Sequence, residues 1–349
     1  MIHLKNLIDK LEIENELNKE EWIALISGHN PELAEYLFDK ARRIRQMHYG
    51  KEVFKRGLIE FTNYCKQDCY YCGIRKSNLE VPRYRLSEDE ILSCCAVGYE
   101  LGFRTFVLQG GEDGYYSDDR LISIISRIHE TYPDCAITLS LGERSYESYE
   151  KLFQAGAGRY LLRHETYNHN HYNSLHPQNL TAAIRQKRLW DLKKIGYEVG
   201  TGFMVGSPFQ DASHLAEDMI FLKELNPQMV GIGPFMPHHK TPFGNQPAGS
   251  FELTLFMIGL IRLLLPKVLL PATTSLASID PKGREKGVLA GANVIMPNLS
   301  PTDNRKNYLL YDNKIGTADD AIHSHNKIAS GIKSVGYDVV VSKGDSLNT

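Results

Sequence analysis

A closed parallel (β/α)8 barrel of the TIM type, class α/β, is the fold this sequence predicts, and three observations predict it. Eight short apolar runs recur between residues 53 and 296, separated by amphipathic stretches of helical period. Eight is the strand count of such a barrel, and 349 residues lie within its usual range. The polar residues fall just after the runs, which in a barrel places them together on one face.

In chain order, residues 1–50 read as a helical segment packed on the barrel, with "NPELAEYLFDKARRIRQMHYG" ending at a glycine stop. The strand candidates are "VFKRGLIEFT" (53–62), "RTFVLQ" (104–109), "AITLSL" (136–141), "RYLLR" (159–163) and "YEVGTGFM" (197–204). "MVGIG" (229–233), "VLLPAT" (268–273) and "ANVIM" (292–296) complete the set. Ser87 and Glu90 form a capping box ahead of one connecting helix. A doubly wound sheet is the alternative, but no G-x-G-x-x-G follows the first strand, and "GTGFMVG" (200–206) has the wrong spacing. The barrel is expected over 51–311, with a C-terminal extension over 312–349.

Lys plus Arg (40) nearly balances Asp plus Glu (42), so no global field favours nucleic acid or an anionic membrane. The N-terminus lacks the apolar core of a secretory signal. The greasiest stretch, "LTLFMIGLIRLLLPKVLLPA", is interrupted by Arg262, Pro266 and Lys267 and reads as a buried helix followed by a strand. A cytoplasmic protein is expected.

Half of the six cysteines lie in "CKQDCYYC": Cys65, Cys69 and Cys72, spaced C-x3-C-x2-C after the first strand. A structural zinc site takes four ligands, typically in two pairs. Three thiolates suit three irons of a cubane cluster, leaving the fourth open to a small molecule. A zinc site completed by a histidine and inert thiols are the other readings.

This triplet, with an aromatic residue (Tyr71) before its last cysteine, resembles the radical S-adenosylmethionine (SAM) superfamily. The resemblance implies a [4Fe–4S] cluster on Cys65, Cys69 and Cys72 that binds and reductively cleaves SAM. Gly110, Gly111 and Glu112 resemble the superfamily's second-strand motif, where a carboxylate beside close-packed glycines meets the methionine amino group. Longer stretches, "LSLGE", "YLLRHET", "MVGIGPFMPH", "LPATT" and "GANVIMPN", resemble the HydE-type [FeFe]-hydrogenase maturases over residues 35–311.

That resemblance implies SAM contacts at Ser140, Glu165 and Arg185, with Met204 packing near adenine. It implies an inner cavity for a small anionic, sulfur-containing or iron–carbonyl–cyanide substrate. Arg56, Thr138, Arg159 and Met229 match positions lining it, as do Thr273, Thr274, Tyr308 and Tyr311. An electron donor such as ferredoxin or flavodoxin, and other maturation proteins, are the implied partners. An arginine inside an apolar strand is costly unless it meets an anion or a carboxylate, so Arg56 and Arg159 stand out on physical grounds too.

An accessory cysteine cluster carried by some family members is absent, because "YDNKIGTADDAIHSHNKI" has no cysteine. Phe209 stands where the fifth-strand pattern often has Glu. The rival readings are a methylornithine-synthase-like mutase and a non-enzymatic iron–sulfur or zinc protein. His169 and His171 read as part of a solvated loop or helix start, His238 and His239 as a turn, and Cys94, Cys95 and Cys135 as buried packing.

Overall fold

The computed structural model describes residues 2–317 and 320–348; Met1, Ala318, Asp319 and Thr349, in the two terminal segments, lie outside the described residues. The apolar runs become parallel strands, several of them broken in two. The strands are β1 (Glu52–Lys55), β2 (Gly57–Thr62), β3 (Thr105–Gly110), β4 (Ala136–Ser140), β5 (Arg159–Leu161) and β6 (Glu198–Thr201). Five short ones follow: β7 (Met204–Val205), β8 (Met229–Val230), β9 (Gly233–Pro234), β10 (Val294–Ile295) and β11 (Asp338–Val340).

Six of them form one sheet in the order β2-β3-β4-β5-β6-β8, and β10-β1-β11 form another. Bridges Met229↔Leu269, Pro271↔Val294 and Leu58↔Asn298 carry the pairing from β8 through residues 269–271 to β10 and back to the first strand, so the ring closes. The predicted seventh run forms no ladder of its own. Pro271 has no N–H to give, and the run is held by these single bridges. The predicted fifth strand breaks at Gly202, where an added Cβ would lie 2.0 Å from the Gly231 carbonyl oxygen; only glycine lets the two segments approach this closely.

Alternation along β2 sets inside from outside. Ile59 and Phe61 pack in the apolar layer under the helices, with Ile91, Cys94 and Cys95, which places Leu58, Glu60 and Thr62 toward the lumen. The capping box at Ser87 and Glu90 forms as expected. The greasy run is the helix Phe251–Leu264, buried along nearly its whole length. Its Arg262 is fully buried and donates to the carbonyls of Gly291 (3.0 Å), Pro266 (2.9 Å) and Val268 (2.8 Å) and to Asn293 (3.1 Å). The N-terminal segment is three helices, Ile2–Glu14, Lys19–Ser27 and Pro31–Tyr49; the third packs on Phe251–Leu264 and the second on the helix Ala212–Leu225.

The C-terminal extension forms a helix, Ala321–Ser334, and then β11, which pairs with β1. Residues 341–348 cross the N-terminal end of the barrel. Lys343 O accepts from Thr105, Ser346 donates to Gln228 O, and Asn348 donates to Pro227 O. This segment is the barrel's floor.

Candidate functional site

The loop after β2 presents the cysteines at the opposite end. It is fixed by Lys66 N–H to Glu112 O (2.9 Å), Tyr70 N–H to Leu175 O (3.0 Å) and Gly73 N–H to Leu310 O (2.8 Å). A Cβ on Gly111 would meet the Tyr64 carbonyl at 2.2 Å, so the second-strand motif is a seat for this loop. All three thiols are free, and burial pushes each pKa up, that of Cys72 to about 12. Left alone they would stay protonated. A cationic centre is needed to make them the thiolates that bind metal.

The donor set distinguishes one ion from a cluster. Among the described residues, the three-donor group whose ligand atoms all come within 4.8 Å of one another is His238, His239 and Asp312, not the cysteines. Tetrahedral zinc with bonds near 2.3 Å would hold its sulfurs about 3.8 Å apart. Three thiol donors from one loop suit a polynuclear cluster that keeps one position open. The histidine group is an internal latch: His238 Nδ1 accepts from Lys240 N–H (3.1 Å), leaving its proton on Nε2, which faces Asp312 at 3.9 Å.

Buried charged groups gather beside the cysteines. Glu165 Oε2, Glu143 Oε1, Arg185 Nε and Tyr172 Oη are all buried here. Arg185 Nε lies 2.8 Å from Glu143 Oε1 as an ion pair, and Glu165 lies 3.1 Å from Arg163. Glu165 and Arg185 both act on the Cys69 thiol, in opposite directions. Glu112 braces the site by accepting from Gln67 Nε2 (2.7 Å) and Glu143 N–H (2.9 Å), and each oxygen keeps a further lone pair. Ser140 ends β4 in register with Gln109, and Met204 packs with Tyr71 and Phe235. Such a cluster of buried carboxylates and guanidinium suits a zwitterionic ligand carrying ammonium, carboxylate and hydroxyls.

Inside the lumen, Glu60 takes Lys314 Nζ (2.5 Å) and Asn298 Nδ2 (2.8 Å). Lys314 also donates to Tyr308 O (2.8 Å), so the chain after the last strand is pulled into the barrel with Tyr308 and Tyr311. Thr273 and Thr274 open the short helix Thr274–Ile279, and Thr273 Oγ1 lies 3.0 Å from Ser275 Oγ. At the floor a cavity of about 10 Å³, room for roughly one water, is lined by Arg56, Thr138, Arg159 and Met229. Arg159 is already engaged: it pairs with Glu198 (2.7 Å) and with Asp345 of the floor segment. Arg56 reaches Met229 Sδ (3.0 Å) but keeps Nε unpaired, as Thr138 keeps Oγ1.

Residues 59–222 match the radical SAM superfamily. Over 311 residues the chain is 44% identical to the [FeFe] hydrogenase maturase subunit HydE of Thermotoga maritima, spanning 89% of this chain and 88% of that protein. The chain belongs to the HydE family of radical SAM proteins. The 3-methylornithine synthase of Methanosarcina acetivorans is 29% identical over 91% of this chain and 89% of that protein. The solved structure of methylornithine synthase (PylB) superposes with a TM-score of 0.85 at 27% identity, covering 96% of this chain and 97% of that one.

Within this HydE-family chain, the histidine-rich stretch is the helix start that the sequence allowed, with His169 exposed at its first turn, but it is not wholly solvated. His169–Leu175 is a helix, and His171 and His176 are buried, each ring bonded on both nitrogens. Burial pushes their pKa values from 6.5 down to about 4 and about 3. The unfolded chain therefore binds protons that the fold excludes. This contribution is fully present above pH 6.5 and is lost as pH falls toward the folded values. Stability should drop by on the order of 2 kcal/mol per histidine between pH 7 and pH 5, read from urea midpoints. A His176→Phe chain should show a shallower slope, and an unchanged slope would refute the assignment. Glu143 and Tyr172 were missed as site residues, although Glu143 closes the quoted "SLGE".

Proposed function

We propose that this chain is a SAM-cleaving enzyme of [FeFe]-hydrogenase maturation, in which Cys65, Cys69 and Cys72 hold a [4Fe–4S] cluster. The observation that carries this reading is the triad of free, desolvated thiols beside the buried charged groups Glu165, Glu143 and Arg185. When bound, such a cluster supplies the electron that splits the SAM sulfonium into methionine and a 5′-deoxyadenosyl radical. The chain's residues bind and orient. Glu165 and Glu112 offer carboxylates to the ammonium and ribose, Arg185 meets the carboxylate, Ser140 adds a hydroxyl, and Met204 and Tyr71 supply apolar surface.

The substrate is a small anionic or sulfur-containing species, and the family resemblance points to an iron–carbonyl–cyanide compound. It would lie in the lumen among Met229, Thr273, Thr274, Tyr308 and Tyr311, with the floor segment closing the far end against water. The unpaired Arg56 Nε and Thr138 Oγ1 support an anion or a water deeper down. Arg159, tied to Glu198 and Asp345, would have to release a partner to take part. Ferredoxin or flavodoxin is the kind of electron donor required, and other maturation proteins would receive the product. No helix among the described residues is long and apolar enough to cross a membrane, in keeping with a cytoplasmic site of action.

A mutase of the methylornithine-synthase kind needs an acidic group for a substrate amine near the seventh strand. Here Thr273, Thr274 and Ser275 stand there, which favours the maturase reading. The test is anaerobic reconstitution, dithionite reduction and EPR with and without SAM, followed by an assay for 5′-deoxyadenosine. A cubane signal with about four irons per chain, shifted by SAM and yielding 5′-deoxyadenosine, is the expected result. A cluster blind to SAM would end the proposal.

A further inference from the structure

We propose that His164 and His171 are positioning residues for SAM, because they clamp Glu165 from both sides in a backbone conformation it would not otherwise hold. This rests on the reading of Glu165 as a SAM contact and says how that contact is aimed. Glu165 has φ +66°, in the left-handed region that a long side chain rarely adopts outside a constrained site. Its own amide groups are both committed: N–H to Gly202 O (3.0 Å) and C=O from Met204 N–H (3.2 Å).

The flanking residues are locked away from the site. His164 is fully buried, with Nε2 facing Asp218 Oδ1 (3.2 Å) and Nδ1 facing Thr201 Oγ1 (2.9 Å). Asp218 Oδ1 also accepts from Tyr167 N–H (2.6 Å), which marks it as an acceptor. The ring therefore donates from Nε2 to Asp218, while Nδ1 is held against the Thr201 hydroxyl. On the other side Thr166, also fully buried, bonds through Oγ1 to His171 Nδ1 (3.0 Å). His171 Nε2 lies 3.0 Å from Pro208 O, an obligate acceptor, so this ring too has one tautomer.

Residues 164 and 166 are thus pinned by buried polar bonds to β6, to the helix Ala212–Leu225 and to the loop after β7. Glu165 lies between them, with its carboxylate Oε2 buried 3.1 Å from Arg163. Asp218 Oδ2 is buried with no partner, a cost that packing alone would not select. A clamp that must orient His164 accounts for keeping a carboxylate there.

The test compares SAM KM, kcat for 5′-deoxyadenosine formation and iron content in the cluster-loaded full chain, for Thr201→Val, His164→Phe, His171→Phe and Glu165→Gln. Each clamp variant should retain its iron and raise the SAM KM, by about tenfold for His164→Phe and less for the near-isosteric Thr201→Val. In a Glu165→Gln background the same variants should add less than roughly twofold, since the group they aim is gone. Should His164→Phe fail to fold, Thr201→Val carries the same comparison. Clamp effects that multiply undiminished in the Glu165→Gln background would reduce the histidines to structural parts and overturn the proposal. An unchanged SAM KM in every clamp variant would do the same. If Glu165→Gln alone leaves the KM unchanged, the reading of Glu165 as a SAM contact fails first, and the clamp proposal falls with it.

Discussion

Cys69→Ala should abolish cluster binding and 5′-deoxyadenosine formation while the barrel still folds. Two thiols cannot hold a cubane at three corners, and no other described cysteine is near enough to substitute, since Cys94, Cys95 and Cys135 are buried in the layer outside the sheet. The fold should survive because Cys69 sits in a loop held mainly by backbone hydrogen bonds. Losing one sulfur there removes an unpaired, desolvated thiol and costs about 1 kcal/mol of packing, small against a typical 5–15 kcal/mol. Iron per chain, the EPR signal and the 5′-deoxyadenosine assay should all fall to background with an unchanged circular dichroism spectrum. Full iron and cleavage in the variant would refute the ligand assignment.

Lys314→Met should be the most destabilising single change in the lumen, by about 3–5 kcal/mol. The ammonium and the Glu60 carboxylate are both buried, and only Asn298 would remain to face the charge. Removing one member of such a pair strands the other in a low-dielectric interior. The double variant Glu60→Gln/Lys314→Met should recover more than half of the loss, because no charge is left unpaired. Urea unfolding of the two chains checks this. Equal destabilisation in both would mean that the side-chain packing of Lys314, not its charge, holds the strand-to-tail crossing.

The barrel was legible because its signals are local. Period-two and period-3.6 patterns, a capping box and polar residues after each run lie within windows of a dozen residues. The cysteine spacing and "GGE" are local as well, so the cysteine-bearing face could be read in advance. What escaped was long-range. Lys314 meets Glu60 across 254 positions, and Asp345 meets Arg159 across 186, so no window contains both partners. Arg159 therefore stood out as a ligand candidate, although a carboxylate from the floor segment takes its fork. His171 was misjudged because "HNHYN" is polar by composition. Its ring is buried only because Thr166 and the Pro208 carbonyl satisfy both nitrogens.

The first strand has a consequence for how the chain reaches this fold. β1 is flanked by β10 and β11, pairing Phe54 with Val294 and Glu52 with Asp338, so neither of its partners exists until late in synthesis. The 240 residues from Phe54 to Val294, where the ring closes, take roughly 12–48 s at ribosomal rates of about 5–20 residues per second. For that interval the ring is an open arc with unpaired apolar edges, a high-contact-order intermediate that aggregates readily. Heterologous yields of this chain should therefore respond more to chaperone supply and slow, cool expression than to any single stabilising substitution.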